Sequence, residues 1–280
     1  MTKIGFIDYY LDEWHANNYP AWIKEASEDK MQVCYCYGEI DAPNGLTNAQ
    51  WAEKYGVTLC STIDEVIEKS DVLCVLAPDN PETHERLSEK ALMSGKTTYI
   101  DKTFAPDLDT AKRIFTLAEK NGTPCMTTSA LRYAEEYEPI DKEALKSLAS
   151  VGGGEPDVYM IHQIEPLVML FGTDPVRVRN THTPECPVYA VEFESGKKAS
   201  LLCSKAYCSF MMTFSFADGA AKFVTVKSDF FKNFIKNLVT FYETGKVLIP
   251  HEQTLAVMAI REACIEARNC PDTWVNVRKG

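Results

Sequence analysis

The sequence lacks long hydrophobic runs, closely spaced metal-binding cysteines and a glycine-rich turn after its first predicted strand. No apolar run approaches the roughly 18 residues of a membrane-spanning helix, and the chain opens on a strand pattern rather than a signal peptide. We therefore expect no membrane segment. The 10 cysteines have no zinc-site spacing. Buried, reduced thiols are expected instead, which favours a cytoplasmic protein.

Positive charge is also scarce. Lysine and arginine number 29 against 40 aspartates and glutamates, which gives a formal net charge of −11. This balance argues against nucleic acid and anionic membranes as partners, because both carry negative charge. The remaining composition, with 45% apolar and 25% charged residues, is typical of a globular chain with enough material for a hydrophobic core.

The first half of the chain alternates short apolar runs with amphipathic segments. This alternation predicts an α/β fold, a Rossmann-like doubly wound parallel sheet with right-handed helical crossovers, over residues 1–128. The predicted strands are 3–8, 31–37, 57–60, 72–76, 97–101 and 124–128, and the predicted helices are 15–29, 48–55, 63–69, 82–94 and 107–121.

The second half follows a different pattern, which predicts an α+β domain with an open, mainly antiparallel sheet over residues 129–280. The predicted strands are 176–182, 187–194, 198–204, 209–216 and 221–226, and the predicted helices are 134–149, 157–171, 229–244 and 251–268. One strand carries an apolar stripe of Phe210, Met212, Phe214 and Phe216. We expect this stripe either to mediate self-association or to be covered by the 229–244 helix.

Lys102 directly follows the predicted strand 97–101. Ligands of open parallel sheets bind outside the carboxyl ends of the strands, so Lys102 lies where chemistry is expected. An amine at this position can hydrogen-bond a substrate hydroxyl and take part in its proton transfer. The alternative is a solvated lysine at a strand end.

His162 lies on an apolar helical segment that follows three consecutive glycines. The ordinary pKa of histidine suits a general acid or base near neutral pH, and a structural core histidine is the alternative. Glu165, three residues later, shares its side of the helix and is a candidate to orient the imidazole or to be a surface acid. Asp157 is expected to be only an acid of the first helical turn.

The turn at residues 9–15 is poorly suited to a dinucleotide pyrophosphate. Glycines normally let backbone amides approach the phosphates here, whereas Tyr9 adds bulk and Asp12 and Glu13 add negative charge. We therefore expect any dinucleotide to bind more weakly than at a glycine turn, and we expect Asp12 to cap the following helix.

Two further groups of polar residues follow predicted strands. Glu39 is placed to bind a ribose diol, or else is a loop acid. The side chains of Asp8, His15, Asp79 and His84 are candidates to converge as metal ligands. Their spacing does not support such a site, so no metal is predicted.

Short motifs along the chain occur in a characteristic order. They are Ala77-Pro78-Asp79-Asn80 with His84, Asp101-Lys102-Thr103, Leu131-Arg132-Tyr133, and Gly152-Gly153-Gly154 followed by Ile161-His162. In this order and spacing the motifs resemble those of the Gfo/Idh/MocA family (glucose–fructose oxidoreductase, inositol dehydrogenase and MocA). The resemblance covers nearly the whole chain.

The resemblance implies an NAD or NADP cofactor and a sugar, polyol or related hydroxyl compound as the small-molecule substrate. Hydride would pass to the nicotinamide while Lys102 and His162 assist proton transfer, with Glu165 as a third catalytic candidate. It also implies a homo-oligomer formed through the C-terminal sheet. The cofactor-binding candidates are Asp8, Tyr9, Glu39, Ala77, Pro78, His84, Asp101 and Lys102.

Three departures from the family pattern leave alternative functions open. The glycine turn is absent, Val158 stands where the family carries an acid, and the region before the triple glycine is shortened. One alternative is a pseudo-oxidoreductase that has lost dinucleotide binding and acts as a binding or subunit-interaction module. Another is a family variant that uses transient oxidation in a lyase or glycosidase reaction.

Overall fold

The computed structural model describes residues 1–181, 183 and 186–280, and the chain divides into two compact units. The first unit contains Met1–Thr128 and Lys232–Ile249, and the second contains Ser129–Phe231 and Pro250–Gly280. The sequence prediction assigned all of 129–280 to the second domain, whereas 232–249 pack within the first unit. No helix in the described part of the chain is both long and apolar enough to cross a bilayer.

The first unit is built on a six-stranded parallel sheet. Its strands are β1 (Thr2–Asp8), β2 (Met31–Gly38), β3 (Thr58–Leu59), β4 (Val72–Val75), β5 (Thr98–Ile100) and β6 (Cys125–Met126). Their order, β3-β2-β1-β4-β5-β6, places the buried β1 at the centre. The order and the parallel pairing confirm the predicted Rossmann-like doubly wound sheet.

The second unit is built on a seven-stranded sheet. Its strands are β7 (Leu145–Gly153), β8 (Pro175–Asn180), β9 (Val188–Phe193), β10 (Lys198–Ser204), β11 (Met211–Phe216), β12 (Ala221–Thr225) and β13 (Val275–Asn276). The order is β12-β11-β7-β10-β9-β8-β13, with β7 and β10 parallel and the other neighbours antiparallel. The prediction of a mainly antiparallel sheet is thus confirmed. Residue 182, the last of a predicted strand, lies outside the described residues.

The helices largely follow the predicted segments. They are α1 (Trp14–Ala26), α2 (Asn48–Tyr55), α3 (Ile63–Lys69), α4 (His84–Met93), α5 (Leu108–Lys120), α6 (Pro156–Tyr159), α7 (Ile161–Phe171), α8 (Phe230–Thr244) and α9 (His251–Asn269). Several begin where a side chain satisfies a free amide of the first turn. Thr47, Thr62 and Asp107 do this for α2, α3 and α5.

The predicted helix 134–149 is wrong. Short 3₁₀ segments occupy Ala130–Tyr133 and Glu135–Tyr137, and β7 follows from Leu145. Leu148 and Ser150 are buried while Ala149 between them is exposed, which is the alternation of a strand. Because β7 pairs with β10 on one side and β11 on the other, its backbone groups are satisfied in the sheet, and this tertiary context overrides a weak helical pattern.

The apolar stripe on β11 faces the interior of the second unit. Met212 and Phe214 are fully buried, whereas Thr213 between them is exposed. The stripe that was expected to mediate self-association therefore faces the interior of the unit and not the exposed side of the sheet. The opposite face is the open one, and it carries Phe223, whose exposure is 65%.

Helix α8 supplies core residues to the first unit. The ring of Phe234 lies 5.7 Å from that of Tyr19 and 5.6 Å from that of Tyr99, and the Tyr242 hydroxyl donates to the Leu73 carbonyl at 3.1 Å. These contacts explain why 232–249 belong to the first unit although the chain has already formed the second sheet.

Candidate functional site

Lys102 lies at the carboxyl end of β5, as predicted. Its side chain is largely buried, and Nζ donates to the Pro78 carbonyl at 3.3 Å and lies 3.9 Å from the Asp79 carboxylate. Pro78 and Asp79 belong to the turn after β4, the neighbouring strand in the sheet. The Lys102 amine is thus held by the ends of two adjacent strands, β4 and β5. A solvated lysine at a strand end is therefore the poorer interpretation.

The turn that holds Lys102 has an unusual backbone. Ala77 has φ +75°, in the left-handed region that favours glycine. Non-glycine residues in this region cost free energy and cluster at active sites and ligand clamps. The strained residue immediately precedes Pro78, so the structure fixes the carbonyl that receives the Lys102 amine.

Asp101 and His15 form a buried pair beside Lys102. The Asp101 carboxylate contacts His15 Nδ1 and accepts a hydrogen bond of 3.0 Å from the Tyr99 hydroxyl. Burial alone would raise the pKa of Asp101, but the charge and hydrogen bond of His15 outweigh it and the pKa is lowered. Asp101 is therefore an anion that orients the imidazole. Sequence analysis named both residues but gave no sign that they pair.

Asp8 ends β1 and is almost completely buried. Its Oδ1 accepts from the Tyr9 amide at 2.7 Å, whereas no described residue hydrogen-bonds Oδ2. Burial, followed by the negative charge of Glu13, raises the pKa of Asp8 well above its ordinary value. The acid form of this carboxyl group, at the base of the β1–α1 turn, is therefore favoured over that of an exposed aspartate.

Glu13, and not Asp12, caps α1. Its carboxylate accepts from the His15 amide at 2.6 Å and also from the Ala16 amide. Asp12 instead accepts from the Leu46 amide at 2.7 Å and from Asn17 Nδ2 at 2.9 Å. The expected Asp12 cap is thus wrong, because Asp12 is held by the loop after β2 and the cap falls to the next residue.

Tyr9 and Glu39 lie together with Arg86. Glu39 follows β2 and forms an ion pair with Arg86, whose guanidinium lies 5.7 Å from the centre of the Tyr9 ring. Both Glu39 and Arg86 are exposed. A carboxylate is therefore available after β2, where Rossmann proteins bind the ribose of the cofactor.

His84 is fully buried at the start of α4. Its Nδ1 donates to the Phe104 carbonyl at 3.0 Å. Burial lowers the pKa of His84, so the ring is held neutral. His84 thus supports the segment after Lys102, and its contact with a cofactor stays a prediction.

His162 begins α7 in the second unit. Its Nδ1 and the Ser129 hydroxyl are 2.6 Å apart, and the rings of Tyr159 and Phe210 meet the imidazole edge-on at 5.4 and 5.9 Å. The Ser129 hydroxyl also accepts from the Leu131 amide at 3.3 Å. A hydroxyl and two aromatic rings thus orient His162, and sequence analysis identified none of these partners.

Glu165 does not orient His162 as expected. Its carboxylate accepts from Arg132 Nε at 2.9 Å, and both side chains are buried. Arg132 Nη1 donates to Gln253 at 2.7 Å. The buried guanidinium requires an anion, so Glu165 completes an ion pair that joins α7 to the segment before it. Asp157 likewise pairs with Arg268.

The glycines before His162 permit close contacts. A Cβ on Gly153 would overlap the backbone of Cys208 and Ala206, and one on Gly154 would overlap the Tyr159 ring. Gly154 also has φ +113°. The triple glycine therefore lets a loop and the aromatic neighbour of His162 approach the end of β7.

Acidic, cysteine and histidine side chains form no cluster of metal-ligand type within the described ranges.

Comparison with known families finds a match over part of the chain. Residues 38–129, which contain β4, β5 and the Lys102 turn, match the Gfo/Idh/MocA oxidoreductase model, described as an NAD-binding Rossmann fold. Over this segment, which is less than half of the chain, the protein resembles the Gfo/Idh/MocA family. This match agrees with the predicted NAD or NADP cofactor.

The individual proteins that this chain resembles are distant. Over 62 residues it is 36% identical to the uncharacterized oxidoreductase YhhX of Escherichia coli K12, a segment that covers 22% of this chain and 18% of YhhX. The structure of myo-inositol dehydrogenase from Corynebacterium glutamicum matches with a TM-score of 0.78 and 13% identity, covering 100% of both chains. GenD2 from gentamicin A biosynthesis, solved in complex with NAD, matches with a TM-score of 0.81 and 11% identity, covering 99% of this chain and 96% of GenD2.

Proposed function

We propose that this chain is an NAD(P)-dependent oxidoreductase that acts on a hydroxyl group of a small sugar-like or polyol compound. The observation that carries the proposal is the buried amine of Lys102, held at two strand ends beside an anionic Asp101 within the family-matched segment. The inositol dehydrogenase and the NAD complex among the structural neighbours support the same class of reaction.

A dinucleotide fits the first unit at two places and conflicts with it at a third. Glu39 after β2 suits a ribose diol, and Lys102 after β5 suits the reacting end of the complex. The conflict lies at α1, where the Glu13 carboxylate already binds the first amides. When bound, the nicotinamide supplies the acceptor or donor of the hydride.

Lys102 is the proposed proton-transfer group of this unit. Its Nζ would hydrogen-bond the substrate hydroxyl. As the neutral amine it would accept that proton during oxidation, and as the ammonium it would return the proton during reduction. Because one N–H already donates to the Pro78 carbonyl, the direction of the amine's remaining positions is defined. Asp101 holds a negative charge nearby and orients His15.

His162 is the proposed substrate-contacting group of the second unit. The Ser129 hydroxyl and the rings of Tyr159 and Phe210 hold the imidazole in one orientation, in which we expect it to contact a substrate oxygen. Loss of the imidazole should therefore raise KM for the substrate and lower kcat, while cofactor affinity is retained.

The test combines binding and turnover. Calorimetric titration with NAD and with NADP comes first, followed by a screen of polyols and sugars for nicotinamide reduction. Lys102→Ala should lower turnover about 10²- to 10⁴-fold, the range of general acid–base catalysis, with the cofactor Kd changed less than about threefold. The exposed Lys120→Ala, on α5 of the same unit, is the matched control.

The alternative is a protein that keeps the fold without dinucleotide binding. The closed β1–α1 turn favours it, because Glu13 occupies amides that a pyrophosphate would need. Failure to bind either nucleotide at millimolar concentration would replace the oxidoreductase proposal with this one.

A further inference from the structure

In the β1–α1 turn, the carboxylate of Glu13 lies at the start of α1, which is where Rossmann folds bind the two phosphates of a dinucleotide. In Rossmann folds the pyrophosphate accepts hydrogen bonds from the amides that open α1. Here the two carboxylate oxygens of Glu13 accept from the amides of His15 and Ala16. The helix is 13 residues long, so its first amides carry the positive end of a full helix dipole.

The rest of the turn is closed around this arrangement. Leu11 is fully buried and its amide donates to Asn48 Oδ1 at 3.1 Å. Asp12 binds the Leu46 amide, so the turn is joined to the loop after β2. Both contacts are made by Leu11 and Asp12, the two residues that precede Glu13. A ligand at these amides would therefore displace Glu13 and not merely add to it.

Asp8 gives independent evidence for a second arrangement of the turn. Its Oδ2 is buried and has no hydrogen-bond partner among the described residues. Buried polar groups are normally hydrogen-bonded, because leaving one unpaired costs free energy. The closed turn thus leaves one oxygen of this carboxyl group unsatisfied at its base, and in the acid form of Asp8 that oxygen would donate its O–H to an oxygen of a bound phosphate.

We propose that Glu13 is an intramolecular competitor of the cofactor, whose carboxylate must leave the α1 amides before a dinucleotide pyrophosphate can bind. The inference rests on the proposed function and assigns to Glu13 the control of cofactor affinity. Under this inference the dinucleotide site is not permanently lost, because the α1 amides are intact and are bound by Glu13 in place of a phosphate.

The charge state of Glu13 then controls access to the subsite. Burial raises the pKa of Glu13 to about 7, against the opposing effect of His15. Protonation removes the charge that competes for the amides, so affinity should rise as pH falls through 7. The titratable groups facing Glu13 are Asp8 from β1, Asp101 from β5, Cys74 from β4, Tyr10 from the turn, and His15 and Tyr19 from α1.

The experiment is calorimetric titration of the full chain with NAD at pH 8 and pH 6. NAD is preferred to NADP because a phosphate monoester itself titrates near pH 6. The variants are Glu13→Gln and Glu13→Ser, the second of which keeps a hydroxyl to cap α1. Glu25→Gln removes the same charge from an exposed position near the opposite end of α1 and is the matched control. Thermal unfolding verifies that each variant is folded.

At pH 8 both Glu13 variants should bind NAD about tenfold or more tightly than the wild type, because about ten in eleven wild-type molecules carry the ionised carboxylate. Glu25→Gln should match the wild type. Wild-type affinity should rise about tenfold on going to pH 6, and this dependence should be absent in Glu13→Gln.

Three results would overturn the inference. If the wild type and the Glu13 variants bound NAD with equal affinity, Glu13 would not be a competitor, and the oxidoreductase proposal would stand. A pH dependence that persists in Glu13→Gln would assign it to a neighbouring group such as His15, since histidine also gains charge on acidification. Binding by the variants but not by the wild type would support the inference and contradict the proposed function, and binding by none would contradict both.

Discussion

At the scale of single residues, the buried charges of the two units are of two kinds. The carboxylates of Glu165 and Asp101 are paired with Arg132 and His15, so each has a partner that offsets the cost of leaving water. Asp8 has no such partner, and its burial raises its pKa instead. The two kinds should respond to mutation in opposite directions.

Glu165→Ala should reduce the free energy of unfolding of the second unit by about 3–5 kcal/mol, because it leaves the Arg132 guanidinium buried and unpaired. Urea denaturation measures the effect. Glu262→Ala, which removes a partly exposed partner of Arg278, should cost less than about 1 kcal/mol. Equal effects of the two substitutions would contradict the structural role of Glu165.

Asp8→Asn should stabilise the first unit increasingly as pH rises. Because the folded pKa of Asp8 exceeds the unfolded value near 3.9, the native state keeps a proton that the unfolded chain has lost, and stability falls as pH rises between these values. Asparagine retains the acceptor for the Tyr9 amide without this loss. Denaturation should show little difference between the two proteins at pH 4 and a gain in the free energy of unfolding of Asp8→Asn at pH 8.

The control for this prediction is Asp64→Asn, an exposed carboxylate paired with Lys90. Its stability should follow the wild type across the same pH range. If the curve of Asp8→Asn also ran parallel to the wild type, Asp8 would be ionised in the folded protein.

At the scale of secondary-structure elements, β7 is the strand on which the second sheet depends. It is central, it pairs with β10 and β11, and its glycines admit the loop that precedes β11. Gly153→Ala should cost about 1–3 kcal/mol, since its Cβ would meet backbone atoms of Cys208 and Ala206 that cannot turn aside. Ser147→Ala, on the outer side of the same strand, should change stability by less than about 0.5 kcal/mol in the same denaturation assay.

Elements with strong local patterns were predictable, and those set by tertiary contacts were not. The run Lys3–Asp8 is apolar and bounded by turn residues, so β1 and the position of Lys102 at another strand end follow from pattern alone. β7 mixes serine and alanine with leucine, and only its pairing on both sides makes it a strand. Helix α8 was predicted as a helix, but its place in the first unit depends on Phe234 meeting Tyr19.

The candidate site likewise contains residues that local patterns predict and contacts that only the tertiary structure determines. Asp101 and Lys102 follow from strand topology and from the motif. The pairing of His15 with Asp101 joins residues 86 positions apart, and no local signal reports it. The cap of α1 shifted by one residue, from Asp12 to Glu13, because the loop after β2 binds Asp12. Sequence signals for a helix start do not locate the capping residue to within one position.

At the scale of the whole molecule, the open face of the seven-stranded sheet is the surface we expect to mediate self-association. Its register aligns four apolar side chains across neighbouring strands, all partly exposed: Met211, Val151, Leu202 and Val188. Exposed Phe223 lies on the same face. An apolar patch on a sheet face indicates a partner, and a second copy of the chain is the partner we propose.

Leu202→Glu should convert the oligomer into monomers, since it places a charge at the centre of this apolar row. Analytical ultracentrifugation at micromolar concentration measures the change. Ala220→Glu, in the exposed turn between β11 and β12, adds the same charge away from the row and should leave the oligomer intact. Wild-type protein that sediments as a monomer would contradict the proposed association.

The assignment of 232–249 to the first unit has a consequence for biosynthesis. Tyr19 and Tyr99 leave the ribosome long before Phe234, which packs against both. About 120 further residues must be translated after Thr128 before α8 is complete, which takes about 6–24 s at 5–20 residues per second. During that interval the nascent parallel sheet exposes an apolar surface, and the second sheet emerges beside it. Chaperone engagement should therefore peak while the chain is between these two lengths, and it should end when α8 reaches its place.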